Sequence, residues 1–324
     1  MRRFVLVLVI LVVCAIAAGA EDNSETLLYL GYGPVVGDAK VVCTDWKGNV
    51  LREVKVQGTP GSLCVFENVV YAAIPNTDKK AAIPKTGQLI SINEEGEVYV
   101  FSFDKHLVAD PISLAIRENP FEVFIADNLT DYVAGMTAEG KTRKYFANRS
   151  GNRIICQNMS IAITNELLVV ATDYPRPGVY AVKLGDGTAS RQRERLLERD
   201  GSVAAIRGTN RWVATQLEVM GMYWPQQQKK GSEAVHVFEG TSEVMRIPCP
   251  RGKKFAYLGM ITSCGTNVIV AFKDGEGAYL YLLDLHKRVF VPMFLWKEEK
   301  GQKLAAIAAK TWSSKSREYT ALRQ

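Results

Sequence analysis

Along most of this chain apolar and polar residues alternate, with β-branched and aromatic types crowded between turn signals. The period is that of strands rather than helices. The pattern restarts at hairpin turns built on an acidic or small residue plus Gly: Lys47-Gly48-Asn49, Glu95-Gly96, Glu139-Gly140, Asp186-Gly187, Glu239-Gly240 and, in degraded form, Asp284-Leu285-His286-Lys287. Roughly 20 residues after each turn comes a short run of small and branched apolar residues. These runs are Ser62-Leu63-Cys64-Val65, Ser113-Leu114-Ala115-Ile116, Ser160-Ile161-Ala162-Ile163, Ser202-Val203-Ala204-Ala205-Ile206, Met260-Ile261-Thr262 and Leu304-Ala305-Ala306-Ile307. Both series recur at roughly 42 to 56 residues, a spacing that marks propellers and solenoids.

Each repeat reads as four strands, A to D. The Gly turns join C to D, where positive φ suits the twist of a β-hairpin. Asn119-Pro120, Thr164-Asn165-Glu166 and Gly208-Thr209-Asn210 supply the turns between A and B. Strand A holds small residues because innermost strands converge on the axis, so Ser62, Ser113, Ser160 and Ser202 are expected to pack rather than react. The expected fold is all-β: a six-bladed β-propeller of four-stranded antiparallel blades, in one domain over residues 21–324. Ring closure is legible at the ends. The stretch from Leu27 to Pro34 matches that from Leu167 to Tyr174 and so begins at strand B, and the run at 304–309 would supply the missing innermost strand. Such closure removes free sheet edges. The segment from Glu318 to Leu322 is a rival B strand for the same place.

The first 20 residues predict a cleaved secretion signal: Arg2-Arg3, an apolar run from Phe4 to Ile16, small residues Ala18-Gly19-Ala20, then Glu21-Asp22. The mature chain is accordingly expected outside the cell, or in the periplasm of a bacterium, with no further attachment to the membrane. Such a compartment is oxidising, and the mature chain keeps Cys43, Cys64, Cys156, Cys249 and Cys264, an odd number. Cys43 with Cys64 and Cys249 with Cys264 are the pairs their placement singles out. Sequons start at Asn128, Asn148 and Asn158, which would carry glycans in a eukaryotic host.

Charge excludes one class of partner. The formal surplus is +6, from 40 Lys and Arg against 34 Asp and Glu, and the densest basic stretch, Arg191 to Arg199, is interleaved with Glu. No aromatic-rich basic groove is legible, so nucleic acid is not an expected partner. His106, His236 and His286 stand apart from one another, and no spacing suits zinc.

The run Pro111-Ile112-Ser113-Leu114-Ala115-Ile116, followed by Phe121-Glu122-Val123-Phe124-Ile125-Ala126-Asp127-Asn128, resembles the first two strands of the six-bladed NHL and SMP-30/gluconolactonase-like propellers. Leu167 to Tyr174 is similar. The resemblance spans essentially the whole mature chain and rests on strand pattern. It implies, for the lactonase branch, a divalent ion on the axis held by a Glu and by Asn or Asp, one of them in Asn-Asp-Gly. This sequence has no Asn-Asp-Gly, and Gly33-Pro34 follows Tyr32 rather than Glu. A more distant similarity is to secreted yellow/royal-jelly-type propellers.

An axial site would draw polar groups from the starts of the A strands, where Asp110, Asn158 and Asp200 offer oxygen ligands suited to Ca²⁺ or another divalent cation. A second candidate surface lies on the opposing side, where B leads to C. There Asp127, Asp173, Tyr174, Tyr223 and Trp224 could form a rim for a ligand or protein. Two functions are therefore expected: a monomeric secreted binding or scaffold propeller for a protein or small molecule, or a metal-dependent hydrolase of lactones or esters.

Overall fold

The computed structural model describes residues 26–34, 38–75, 87–101, 108–127, 130, 132–137, 139, 141–145, 160–172, 178–184, 193–197, 201–216, 233–256, 260–299 and 301–310. Among them every regular element is a strand. Blade one holds β1 (Leu27–Pro34), β2 (Asp38–Thr44) and β3 (Val50–Gln57); blade two β4 (Ser62–Phe66), β5 (Val69–Ile74), β6 (Gln88–Ile92) and β7 (Val98–Val100). Blade three is β8 (Pro111–Arg117), β9 (Glu122–Asp127), β10 (Val133–Thr137) and β11 (Thr142–Tyr145). Blade four is β12 (Ser160–Ile163), β13 (Leu167–Thr172), β14 (Gly178–Lys183) and β15 (Arg193–Leu197). Blade five is β16 (Val203–Ala205), β17 (Arg211–Gln216), β18 (Ala234–Glu239) and β19 (Ser242–Pro248). Blade six is β20 (Ile261–Cys264), β21 (Asn267–Asp274), β22 (Gly277–Asp284) and β23 (Val289–Lys297), after which β24 (Gln302–Lys310) returns to blade one.

The six sheets each have four antiparallel strands, and the first runs β24-β1-β2-β3. The ring is therefore closed by the two ends of the chain, in the register Leu27 to Lys310 and Leu30 to Ile307. The rival strand at 318–322 lies outside the described residues.

Six apolar layers fill the six gaps between neighbouring blades. Alternation along strand B explains them. Leu28 and Leu30 enter the layer shared with blade six, while Tyr29 enters the layer shared with blade two. In blade four Leu168 and Val170 face blade three, and Leu167 and Val169 face blade five. A strand covered on both faces gains from apolar residues at every position, which is why these segments read as unbroken apolar runs.

Three of the C-to-D turns are each held by one side chain. Asp45 Oδ1 accepts the N–H groups of Lys47 and Asn49, both at 2.8 Å, and leaves Gly48 at φ +86°. Asn93 Oδ1 accepts the N–H of Glu97 at 2.8 Å, with Gly96 at φ +89°. In the degraded sixth turn Asp284 Oδ1 accepts His286 and Lys287 N–H, and Arg288 takes the left-handed position, φ +58°.

The four described cysteines are free thiols. Neither pair suggested by sequence is joined, and strand alternation is the reason. Cys43 points into the layer between blades one and two, whereas Cys64 packs in that between blades two and three. Cys249 and Cys264 likewise lie on opposite faces of blade six. Burial raises the Cys43 thiol and pushes Cys64 up to about 11 and Cys249 to about 12.

Candidate functional site: the axial channel

The inner strands β4, β8, β12, β16, β20 and β24 surround a cavity of about 550 Å³ on the ring axis. One end is set by Gly61, Gly201 and Met260, at the starts of inner strands; the other by the A-to-B turns that carry Arg117–Asn119, Thr164–Asn165 and Arg207–Thr209. Glycine is required at position 201 by close approach: a Cβ there would lie 1.8 Å from the carbonyl oxygen of Thr215.

Serine hydroxyls stitch the wall together. Ser113 Oγ accepts the N–H of Ile161 at 3.1 Å, and Ser160 Oγ that of Val203 at 3.1 Å. Ser62 Oγ lies 3.4 Å from Leu114 N, in the same relationship one blade earlier. In each case the hydroxyl reaches the residue just after the equivalent serine of the next blade, so the repeated residue makes a repeated interblade bond. Ser62, Ser113 and Ser160 thus join neighbouring inner strands. The series ends at blade six, where Met260 stands in the serine position.

The charge sits at the A-to-B mouth. Arg207 Nε pairs with Glu118 Oε1, so blades five and three are joined past the turn of blade four. Arg117 Nη2 pairs with Glu122 Oε2, and Tyr145 OH donates to Glu122 Oε1 at 2.9 Å. Glu122 is only 1% exposed, so this arginine is its necessary counter-charge. Arg117 Nε is also buried, with no acceptor among the described residues. Burial, reinforced by the Glu122 carboxylate, raises the Tyr145 phenol. Arg117 closes the A run of blade three and Arg207 opens the A-to-B turn of blade five, and charged residues at the ends of A runs were the signal from which this cluster was readable.

Asp110 and Asp127, expected on opposing sides of the ring, come together on one side. Asp127 Oδ2 accepts the N–H groups of Ala109 and Asp110, both at 2.6 Å. The reason is antiparallel pairing: the end of β9 lies beside the start of β8, with Asp127 opposite Pro111. Both carboxylates are buried, and Asp110 precedes Ser113, the residue at which blade three begins to line the cavity above Ile112. Asn158, Asp200, Asp173, Tyr174, Tyr223 and Trp224 lie outside the described residues, as do Asn128 and Asn148. Among the described residues no three His, Cys, Asp or Glu side chains are grouped to hold a metal ion.

His236, isolated in sequence, is not isolated in space. Its Nδ1 lies 3.0 Å from Glu243 Oε1 and its Nε2 lies 2.9 Å from Gln216 Oε1, inside blade five. Strand pairing brings them there: His236 is opposite Ala214 on one side and Arg246 on the other.

The class these features define is a six-bladed β-propeller with an open axial channel and a charged mouth. No protein-family model and no curated protein matches the sequence. Solved structures do match in shape. A chain from a nidogen/laminin complex is 13% identical, with a TM-score of 0.59 over 88% of this chain and 98% of that one. A putative 6-phosphogluconolactonase from Bacteroides uniformis is 12% identical, with a TM-score of 0.51 over 89% of this chain and 100% of the other. At such identities the likeness concerns the fold, and it agrees with the resemblance to NHL and gluconolactonase-like propellers seen in the strand pattern.

Proposed function

We propose that this chain is an exported binding propeller, its first 20 residues removed, whose axial channel holds a small ligand while its rim serves protein contacts. The observation that carries this reading is the channel wall. It is built of small apolar and serine side chains, and among the described residues its charged lining, Arg117, Glu118 and Arg207, sits at one mouth, around a volume typical of small-molecule sites. Ser113 and Ser160 already accept backbone N–H bonds, which favours a wall that contains over one that attacks. The nidogen/laminin chain lends support to the scaffold side, since a ring of this shape occurs there within a protein complex.

The test uses dansyl amide, a neutral apolar fluorophore. Saturable binding to the mature protein, lost in Ala305→Trp, is the expected result; Ala305 lines the channel and is only half-buried, so the indole fills the cavity rather than the core. Failure of the native protein to bind, or equal binding by the folded Ala305→Trp variant, overturns the reading. The hydrolase alternative would instead show lactone turnover that depends on added Ca²⁺ and is lost in Asp200→Ala.

A further inference from the structure

Three groups in the channel wall carry charge among the described residues: Arg117, Glu118 and Arg207. Two are cations. Arg117 is committed, because its guanidinium neutralises the buried Glu122. Arg207 is held differently. Its only ion pair among the described residues is with Glu118, and both partners remain about half exposed, 56% and 47%. An ion pair so open to water contributes little to stability and exchanges readily. The two residues come from blades that are not neighbours, so their contact spans the part of the channel mouth beside blade four.

Glu118 therefore shows what Arg207 is shaped to receive. A guanidinium presents its donors in a planar fork that matches a carboxylate, and Arg207 Nε is already placed against one. We infer that Arg207 is the anchor of a carboxylate-binding subsite at the A-to-B mouth, and that Glu118 is a displaceable stand-in for the ligand's own carboxylate. The ligand class is a small organic carboxylate: the acid group meets Arg207, and its apolar body lies along Ala115, Ala162 and Ala305 in the channel. Asn119 and Asn165 line the same mouth and can donate amide N–H groups to the second carboxylate oxygen. Displacement leaves Glu118 free to turn into water, which its exposure allows.

This inference rests on the channel-binding reading, and the experiment separates the two. Dansylglycine and dansyl amide share one fluorophore and differ by a carboxymethyl group on the sulfonamide nitrogen. At low salt the native protein is expected to bind dansylglycine about tenfold more tightly, the effect of one charge-assisted pair in a partly exposed site. Arg207→Gln should remove that preference without changing the affinity for dansyl amide. Glu118→Gln should strengthen dansylglycine binding several-fold, because the internal competitor is gone, and leave dansyl amide unchanged. Added salt should erode the preference. If both probes bind with equal affinity to all these proteins, the carboxylate subsite is refuted while the channel reading stands. If neither binds, the channel reading falls and takes the subsite with it. If dansylglycine still binds to Ala305→Trp while dansyl amide does not, the carboxylate site lies elsewhere and the inference is again overturned.

Discussion

The hydroxyl oxygen of Ser113 accepts the backbone N–H of Ile161 at 3.1 Å, across the boundary between blades three and four. The donor belongs to an inner strand of the next sheet and has no ladder partner on that side, so the serine supplies one. Without it the amide is buried unpaired, at a cost of about 1–3 kcal/mol. Ser113→Ala is expected to destabilise the fold by that amount. Ser62→Ala should cost less, since its bond is 3.4 Å long. Guanidinium unfolding of the two variants side by side checks the order; equal losses would show that the hydroxyls act only by filling space.

Ring closure makes a second prediction. Removal of residues 302–310 strips β1 of its inner partner and exposes an edge eight residues long. Exposed edges template association. The shortened protein is expected to elute as aggregate on size exclusion, whereas Lys310→Met should stay a single species with lowered stability. Lys310 Nζ donates to Asn68 Oδ1 at 2.7 Å and so fastens the closing strand to blade two.

Much of this architecture was legible because a propeller repeats in one dimension. The turn at Asp45, the apolar run from Leu167 to Val170 and the match between residues 27–34 and 167–174 each fix a place within a blade, and pairing of β24 with β1 follows. The site was less so. The position of Arg207 in its repeat says that it caps an inner strand; it does not say that its guanidinium reaches Glu118 two blades away. The same limit separated Asp110 from Asp127, whose contact depends on strand direction rather than on sequence distance. The two cysteine pairs singled out by placement are not joined for a related reason: neighbouring strands bring backbones together, but the two-residue alternation decides which layer a thiol enters.

Gly135 makes room for the buried pair at the mouth. A Cβ there would stand 2.4 Å from Glu122 Oε1 and 2.5 Å from a ring carbon of Tyr145. Both neighbours are pinned, one by Arg117 and the other by the first, so neither can yield. Gly135→Ala should cost about 1–3 kcal/mol, the range for overpacked cores. A companion variant, Tyr145→Phe, removes the hydroxyl that meets Glu122 and leaves the ring, so the pair distinguishes crowding from lost hydrogen bonding. Urea midpoints for both give the comparison, and an unchanged midpoint for Gly135→Ala would mean that the cluster can shift.

The half-buried thiols of Cys64 and Cys249 should resist modification. Burial holds Cys64 at about 11 and Cys249 at about 12, so little thiolate exists at neutral pH. Ellman's reagent at pH 8 is expected to label them in the folded protein at least a hundredfold more slowly than in guanidinium, since only thiolate attacks. Immediate reaction without denaturant would contradict the layered packing.

His236 gives stability a dependence on pH whose sign follows from its burial. Desolvation lowers its pKa below the ordinary 6.5, and Arg246 adds to the effect, while Glu243 pulls the other way without reversing it. The unfolded chain therefore binds a proton at higher pH than the folded one. Stability from this group is fully present above about pH 6.5 and is lost as the pH falls through the lower, folded value. The groups that face the ring are Gln216 from β17, Glu243 and Arg246 from β19, and Phe238 stacked 6.5 Å away on β18 itself. His236→Gln keeps a polar side chain of similar reach and cannot titrate, so its unfolding midpoint should change less than that of the native protein between pH 7 and pH 5. Parallel loss of stability in both proteins over that interval would assign the dependence to other groups.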